Sequence, residues 1–130
     1  MLFEDKEAPS GAEQRKHPRY RVHWRVAIVH GQEGKHEIFH GRTHDLSISG
    51  ASVYSDHNIF VEEPVSILLA MPPLTADSRE KIIEIRCRMI YTVLASSHHQ
   101  FRIGLHFLHF KGDGRKLLLE NLSQRGTLVV

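Results

Sequence analysis

The chain has a single cysteine, a single tryptophan and only five prolines in 130 residues. The lone thiol, Cys87, excludes an internal disulfide framework and fits a reducing compartment. Long hydrophobic runs are missing as well. The longest, Val65 to Met71, is broken by Ser66 and is far too short to cross a bilayer, so no membrane insertion is expected. The start, Met1-Leu2-Phe3-Glu4-Asp5-Lys6-Glu7, lacks the basic opening and apolar middle of a secretory signal, and a cytoplasmic location is expected. A net charge of only +2 argues against a polybasic nucleic-acid protein. Acidic residues are absent from Gln14 to Gln32, where five Arg or Lys stand alone. One end of the fold should therefore carry a local positive field that attracts anions.

What is present is alternation. Val22, Trp24, Val26 and Ile28 alternate with Arg21, His23, Arg25 and Ala27, the period-two signature of a half-buried strand. Gly31-Gln32-Glu33-Gly34 reads as a turn, and Lys35 to Asp45 returns as a second strand. Ser47 to Gly50 interrupts regular structure before Ala51-Ser52-Val53-Tyr54 resumes it. Val65, Ile67, Leu69 and Met71 alternate until Pro72-Pro73 ends the run. After an exposed loop over Leu74 to Glu80, a long strand places Ile83, Ile85, Cys87, Met89, Tyr91 and Val93 on one face. His98-His99 marks a turn, and Ile103, Leu105 and Phe107 form the last clear strand, with Gly104 inside it.

Residues 113–124 read as a helix with Asp113 at its N-cap and a stripe of Leu117, Leu118, Leu119 and Leu122. No strand–helix–strand alternation occurs, which argues against a parallel sheet. Six antiparallel strands and one terminal helix suggest an all-β fold, a small barrel without exposed sheet edges. One domain is expected over 14–124. Residues 1–13 read as a flexible N-terminal tail and 125–130 as a C-terminal tail.

Two motifs flank the first hairpin. Arg15-Lys16-His17-Pro18-Arg19 precedes it and Asp45-Leu46-Ser47-Ile48-Ser49-Gly50 follows it. A turn centred on Gln32-Glu33 sets Arg19 opposite roughly Leu46 and Tyr20 opposite roughly Asp45, so both motifs meet at one edge of the sheet. The chemistry of that meeting is specific. An arginine fork pairs bidentately with phosphate or with the O6/N7 edge of guanine, and it stacks on bases. The Asp45 carboxylate only accepts, which suits the N1 and N2 donors of guanine. The Ser47 hydroxyl either fixes the turn or bonds a ligand, and Gly50 permits close backbone approach and positive φ. Arg21 and Arg25 repeat the four-residue spacing, but they fall on the polar face of the first strand and read as a solvated face.

These motifs resemble those of PilZ domains, the bacterial receptor modules for cyclic di-GMP. Arg15 to Arg19 matches the family's Arg-x-x-x-Arg, Asp45 to Gly50 its Asp/Asn-x-Ser-x-x-Gly, and Gly104-Leu105-His106-Phe107 its late Gly-x-x-Phe segment. The similarity runs from about Gln14 to Leu122. It implies a six-stranded antiparallel β-barrel with a C-terminal α-helix. It also implies a non-catalytic receptor in which Arg15 and Arg19 contact phosphate and guanine while Asp45, Ser47 and Gly50 hold the other side. Lys16, Arg21, Ser49 and Gly104 are secondary candidates. Beyond the ligand cyclic di-GMP no cofactor is expected. The expected partner is a downstream protein, in control of motility, biofilm or exopolysaccharide, and the chain is expected to be a monomer or homodimer.

Other readings carry less. Among eleven histidines, His98-His99 and His106-x-x-His109 come closest to clusters, but plain strand spacing puts His106 and His109 on opposite faces, and no metal site is expected. Cys87 alternates with core residues and reads as a buried structural thiol. A PilZ-fold interaction adaptor without nucleotide affinity is the alternative function. A small barrel for single-stranded nucleic acid would need exposed aromatics along a basic groove, and the aromatics here mostly alternate inward. No DNA or RNA partner is expected.

Overall fold

A computed structural model of the chain describes residues 17–32, 34–95, 99–125 and 128–129. The alternating segments form strands: β1 (Arg19–Tyr20), β2 (Arg25–Gln32), β3 (Lys35–Leu46), β4 (Gly50–Ser55), β5 (Val65–Met71), β6 (Lys81–Ala95) and β7 (Gln100–Phe110). Helix α1 (Gly114–Ser123) and a short β8 (Leu128–Val129) follow. Strands β2, β5, β6, β7, β4 and β3 pair in that order, all antiparallel, and β3 pairs back to β2. The result is the expected closed six-stranded barrel, in which every ring strand has two partners and none is an open edge. Outside the ring, Tyr20 of β1 pairs with Leu46 at the end of β3, and β8 lies along the other side of β1.

The inward positions of the alternation make the core. Ile28, Val53, Ile67, Leu69, Ile85, Cys87 and Ile103 are all but fully buried. Each large aliphatic among them contributes about 1.5–3 kcal/mol relative to exposure. Trp24 is buried as expected. Helix α1 packs against β6. Its buried stripe is Leu118, Asn121 and Leu122, with Leu117 half-buried. Leu119 points to solvent, since one step around the helix turns it about 100° from Leu118. Asn121 is a satisfied core polar group: its Nδ2 donates to Pro72 O at 3.1 Å, and its Oδ1 accepts from Arg125 Nε at 2.7 Å. Asp113 stands at the N-cap position, but its side chain makes no capping hydrogen bond.

Departures from plain alternation matter most. The first hairpin turns one residue later than expected, with Gln32 opposite Lys35. Gly34, at φ +84°, supplies the left-handed conformation that a two-residue connection needs. Residues Arg21 to Trp24 keep alternating burial, yet they lie outside β2, which starts only at Arg25. Three bulges reset the phase of long strands. His44 is the unpaired residue between Thr43 and Asp45, Ile90 that between Met89 and Tyr91, and Leu108 that between Phe107 and His109. Tyr91 and Val93 consequently leave the core face, where strict alternation had put them, and are exposed. By the same mechanism His106 and His109 both face outward rather than to opposite sides. Among the described residues no group of three His, Cys, Asp or Glu side chains could hold a metal ion. No helix there is long and apolar enough to cross a membrane.

Burial pushes the Cys87 thiol up to about 12, against a weaker opposing pull from the Arg86 charge. The thiolate is the reactive form, so a thiol-specific disulfide reagent at neutral pH should leave Cys87 untouched in the native protein and label it fully in denaturant. Rapid labelling of the native protein would contradict the assigned burial.

Candidate functional site

The bulge in β3 builds the site. Strict alternation from Thr43, which is buried, would turn Asp45 inward. The extra residue His44 instead leaves both His44 and Asp45 on the outer surface while Thr43 and Leu46 stay in the core. Asp45 then sits opposite Ser52, whose Oγ donates to Oδ2 at 3.0 Å. Arg19 reaches it from β1, with Nε 3.2 Å from Oδ1. The approach is close, but the N–H is not aimed for a hydrogen bond, and Oδ1 is buried with no hydrogen-bond donor among the described residues. The two motifs therefore meet as an ion pair with one acceptor site still open.

Ser47 to Gly50 forms a tight connection held by the Ser47 hydroxyl. Its Oγ accepts from Ser49 N at 3.1 Å and Gly50 N at 3.2 Å, and it lies 3.1 Å from Ser49 Oγ. Ser47 N donates to Gly50 O at 2.8 Å. Of the two roles open to Ser47, the hydroxyl is engaged in the first, fixing the turn. Gly50 is needed for close approach alone. Its φ is not positive, but a Cβ there would lie 2.6 Å from Leu105 O across the β4–β7 pair. Ser49 O in turn accepts from Phe107 N at 2.9 Å, tying the turn to the Gly-x-x-Phe segment.

Between these parts lies a groove of about 630 Å³, lined by His17, Arg19, Ser47, Ser49, Gly50, Ala51, Ile90, Tyr91, Gly104, Leu105 and His106. Gly104 has a clear purpose. The Tyr91 ring lies over it, so a Cβ at 104 would come within 2.1 Å of Tyr91 Cε2. The Ile90 bulge swings Tyr91 onto this outer face, giving the groove an aromatic wall opposite its cationic end.

The structure brings together Arg19, Asp45, Ser47, Ser49, Gly50 and Gly104. Arg15 and Lys16 lie outside the described residues. Arg21 is exposed and does not line the groove. Its charge is felt nearby, at His44, whose pKa is lowered by desolvation first and by Arg21, Arg102 and His23 in addition, against a pull from Asp45. Arg25 faces away and pairs with both oxygens of Glu80 at 2.7 Å. Tyr91, Ile90, His17 and His106 escape a reading by motif. A sequence signal existed only for Tyr91, as an aromatic cross-strand from a glycine.

A model of the PilZ domain matches residues 13–124, nearly the whole described fold. The chain belongs to the PilZ domain family. Three solved structures share the fold of this PilZ domain. The Bacillus subtilis inhibitor of motility MotI/DgrA superposes with a TM-score of 0.65 at 18% identity, covering 86% of this chain and 53% of that one. The PilZ domain of Escherichia coli YcgR with c-di-GMP gives 0.54 at 11% identity, covering 84% and 88%. The K. pneumonia MrkH–c-di-GMP complex gives 0.50 at 17% identity, covering 85% and 55%. The chain thus spans about half the length of the B. subtilis protein. A comparison with curated protein sequences gives no match.

Proposed function

We propose that this PilZ domain is a non-catalytic receptor for cyclic di-GMP and relays binding to a downstream protein. The observation that carries the reading is the Arg19–Asp45 pair at the groove, where a fork for phosphate or guanine meets an acceptor for guanine N1 and N2. The groove volume, about 630 Å³, falls within the usual range for small-molecule sites. Two structural neighbours are described with c-di-GMP, which supports the ligand without assigning it here.

Nucleotide binding then has a mechanism of exchange. In the free protein Arg19 and Asp45 partner each other. The ligand offers phosphate or guanine acceptors to Arg19 and N–H donors to Asp45, so each replaces its partner with a better-aimed one. The residues preceding β1, Arg15 among them, close over the ligand, and the surface they present changes; that change is the signal.

Calorimetric titration with cyclic di-GMP tests the reading. Saturable heat with cyclic di-GMP and none with cyclic di-AMP is expected. Absence of heat at micromolar ligand would leave the adaptor role instead. The wall residue gives a second check. Tyr91→Ala should weaken binding by about 1–3 kcal/mol through lost base stacking, with thermal stability nearly unchanged because the ring is partly exposed. Affinity equal to wild type would remove Tyr91 from the site.

A further inference from the structure

A second groove, of about 700 Å³, lies on the outer surface of β2, β3 and β5. Small residues make it. Ala27 and Ala70, on the outer face of neighbouring strands, leave an aliphatic floor with Leu68, and the inward-facing Gly41 adds backbone alone, while the longer Ile82, Arg25 and Arg42 rise at the sides. Gly41 has no room for a side chain, since a Cβ would lie 2.3 Å from Tyr54 O.

The rim is basic and electrostatically uneasy. Arg25 and Arg42 are direct cross-strand partners, an arrangement in which like charges destabilise a sheet. Glu80 holds Arg25 from one side, whereas Arg42 donates to a backbone carbonyl, His23 O, at 3.2 Å. His23 and His40 also line the groove. The one carboxylate among the described residues of its lining, Asp56, accepts from Gln100 Nε2 at 2.9 Å. An anionic occupant would relieve the Arg25–Arg42 repulsion, and an aliphatic side chain would cover the floor.

We propose that this groove docks an acidic segment of a partner protein, one that presents Leu or Ile between carboxylates. Docking is by side chains onto a face, because β2, β3 and β5 each have both neighbours in the ring and cannot accept an added strand. The floor is aliphatic, and Tyr54 is the only Phe, Tyr or Trp among the described residues of the lining, which suits a polypeptide better than stacked bases. The inference rests on the relay half of the proposed function and is independent of nucleotide affinity.

Fluorescence anisotropy with the full chain tests it, using a labelled peptide in which Leu is flanked by Glu pairs. Controls are the same peptide with Lys for Glu, and oligothymidylate. The acidic peptide should bind and the basic twin should not. Arg42→Glu and Ile82→Glu, both at exposed positions, should each weaken binding by roughly tenfold, while Arg115→Glu on α1 should not change it. Circular dichroism and a cyclic di-GMP titration on each variant report folding and the other site separately. Equal binding of the acidic and basic peptides, or wild-type affinity in both groove variants, would overturn the proposal. Tighter binding of oligothymidylate would overturn it in favour of nucleic acid. Peptide binding without nucleotide binding would strike the cyclic di-GMP reading and leave the groove standing.

Discussion

Asp45→Ala should reduce cyclic di-GMP affinity by roughly thirtyfold or more, because truncating one member of a desolvated charged hydrogen-bonding set typically costs about 2–5 kcal/mol. The carboxylate is mostly buried, and Ser52 already holds Oδ2, so under the proposed function Oδ1 is the oxygen that accepts from the ligand. Asp45→Asn keeps an acceptor oxygen and should lose roughly tenfold or less. Arg19→Ala should fall near Asp45→Ala. The double variant should lose less than the sum of the two, since each side chain is the other's partner in the free protein. Calorimetry on the four proteins reads all of this. Strict additivity, or an Asp45→Ala variant binding like wild type, would separate the pair from the ligand.

Thr43→Val should be strongly destabilising for a near-isosteric change. Thr43 is buried, and its hydroxyl accepts from Trp24 N at 2.9 Å and donates to Val22 O. Thr43 N also donates to Trp24 O at 2.9 Å. The hydroxyl thus stands in for ladder bonds along Val22 to Trp24, the irregular stretch that leads from Arg19 into β2. Valine keeps the shape and strands one N–H and one C=O away from water, at about 1–3 kcal/mol for each. A loss of about 2–5 kcal/mol should lower the melting temperature by roughly 10 °C or more. Thr43→Ser, which keeps the hydroxyl, should stay within about 1–2 kcal/mol of wild type. Because the same stretch positions Arg19, Thr43→Val should also weaken nucleotide binding well below its melting point. A Thr43→Val protein as stable as wild type would contradict the role given to the hydroxyl.

The barrel was legible because its core strands alternate cleanly. Val65, Ile67 and Leu69 on β5, and Ile103, Leu105 and Phe107 on β7, face inward as period two requires. The meeting of the two motifs was legible too, since a hairpin between them leaves few other places for its ends. What escaped was set by single extra residues. His44 decides that Asp45 turns outward to meet Arg19 beside the groove, Ile90 that Tyr91 walls the groove, and Leu108 that His109 joins His106 on the outside. A bulge changes the phase of everything beyond it, and nothing in the local composition announces one. The role of Ser47 was open for a different reason. A hydroxyl serves a turn or a ligand equally well until its neighbours are in place, and here Ser49 N and Gly50 N engage it. The outer groove was invisible for a third reason: Leu68 and Ala70 lie far from Ala27 in sequence and come beside it only through the β2–β5 pairing that closes the ring.

A backbone-amide NMR titration with cyclic di-GMP reads most directly where the nucleotide sits. Saturable shifts should concentrate at His17 to Arg21, Asp45 to Ser52, Ile90 to Tyr91 and Gly104 to His106, with Ala27, Gly41 and Ala70 quiet. Shifts centred on the outer groove instead, or no saturable shifts at all, would contradict the proposed site.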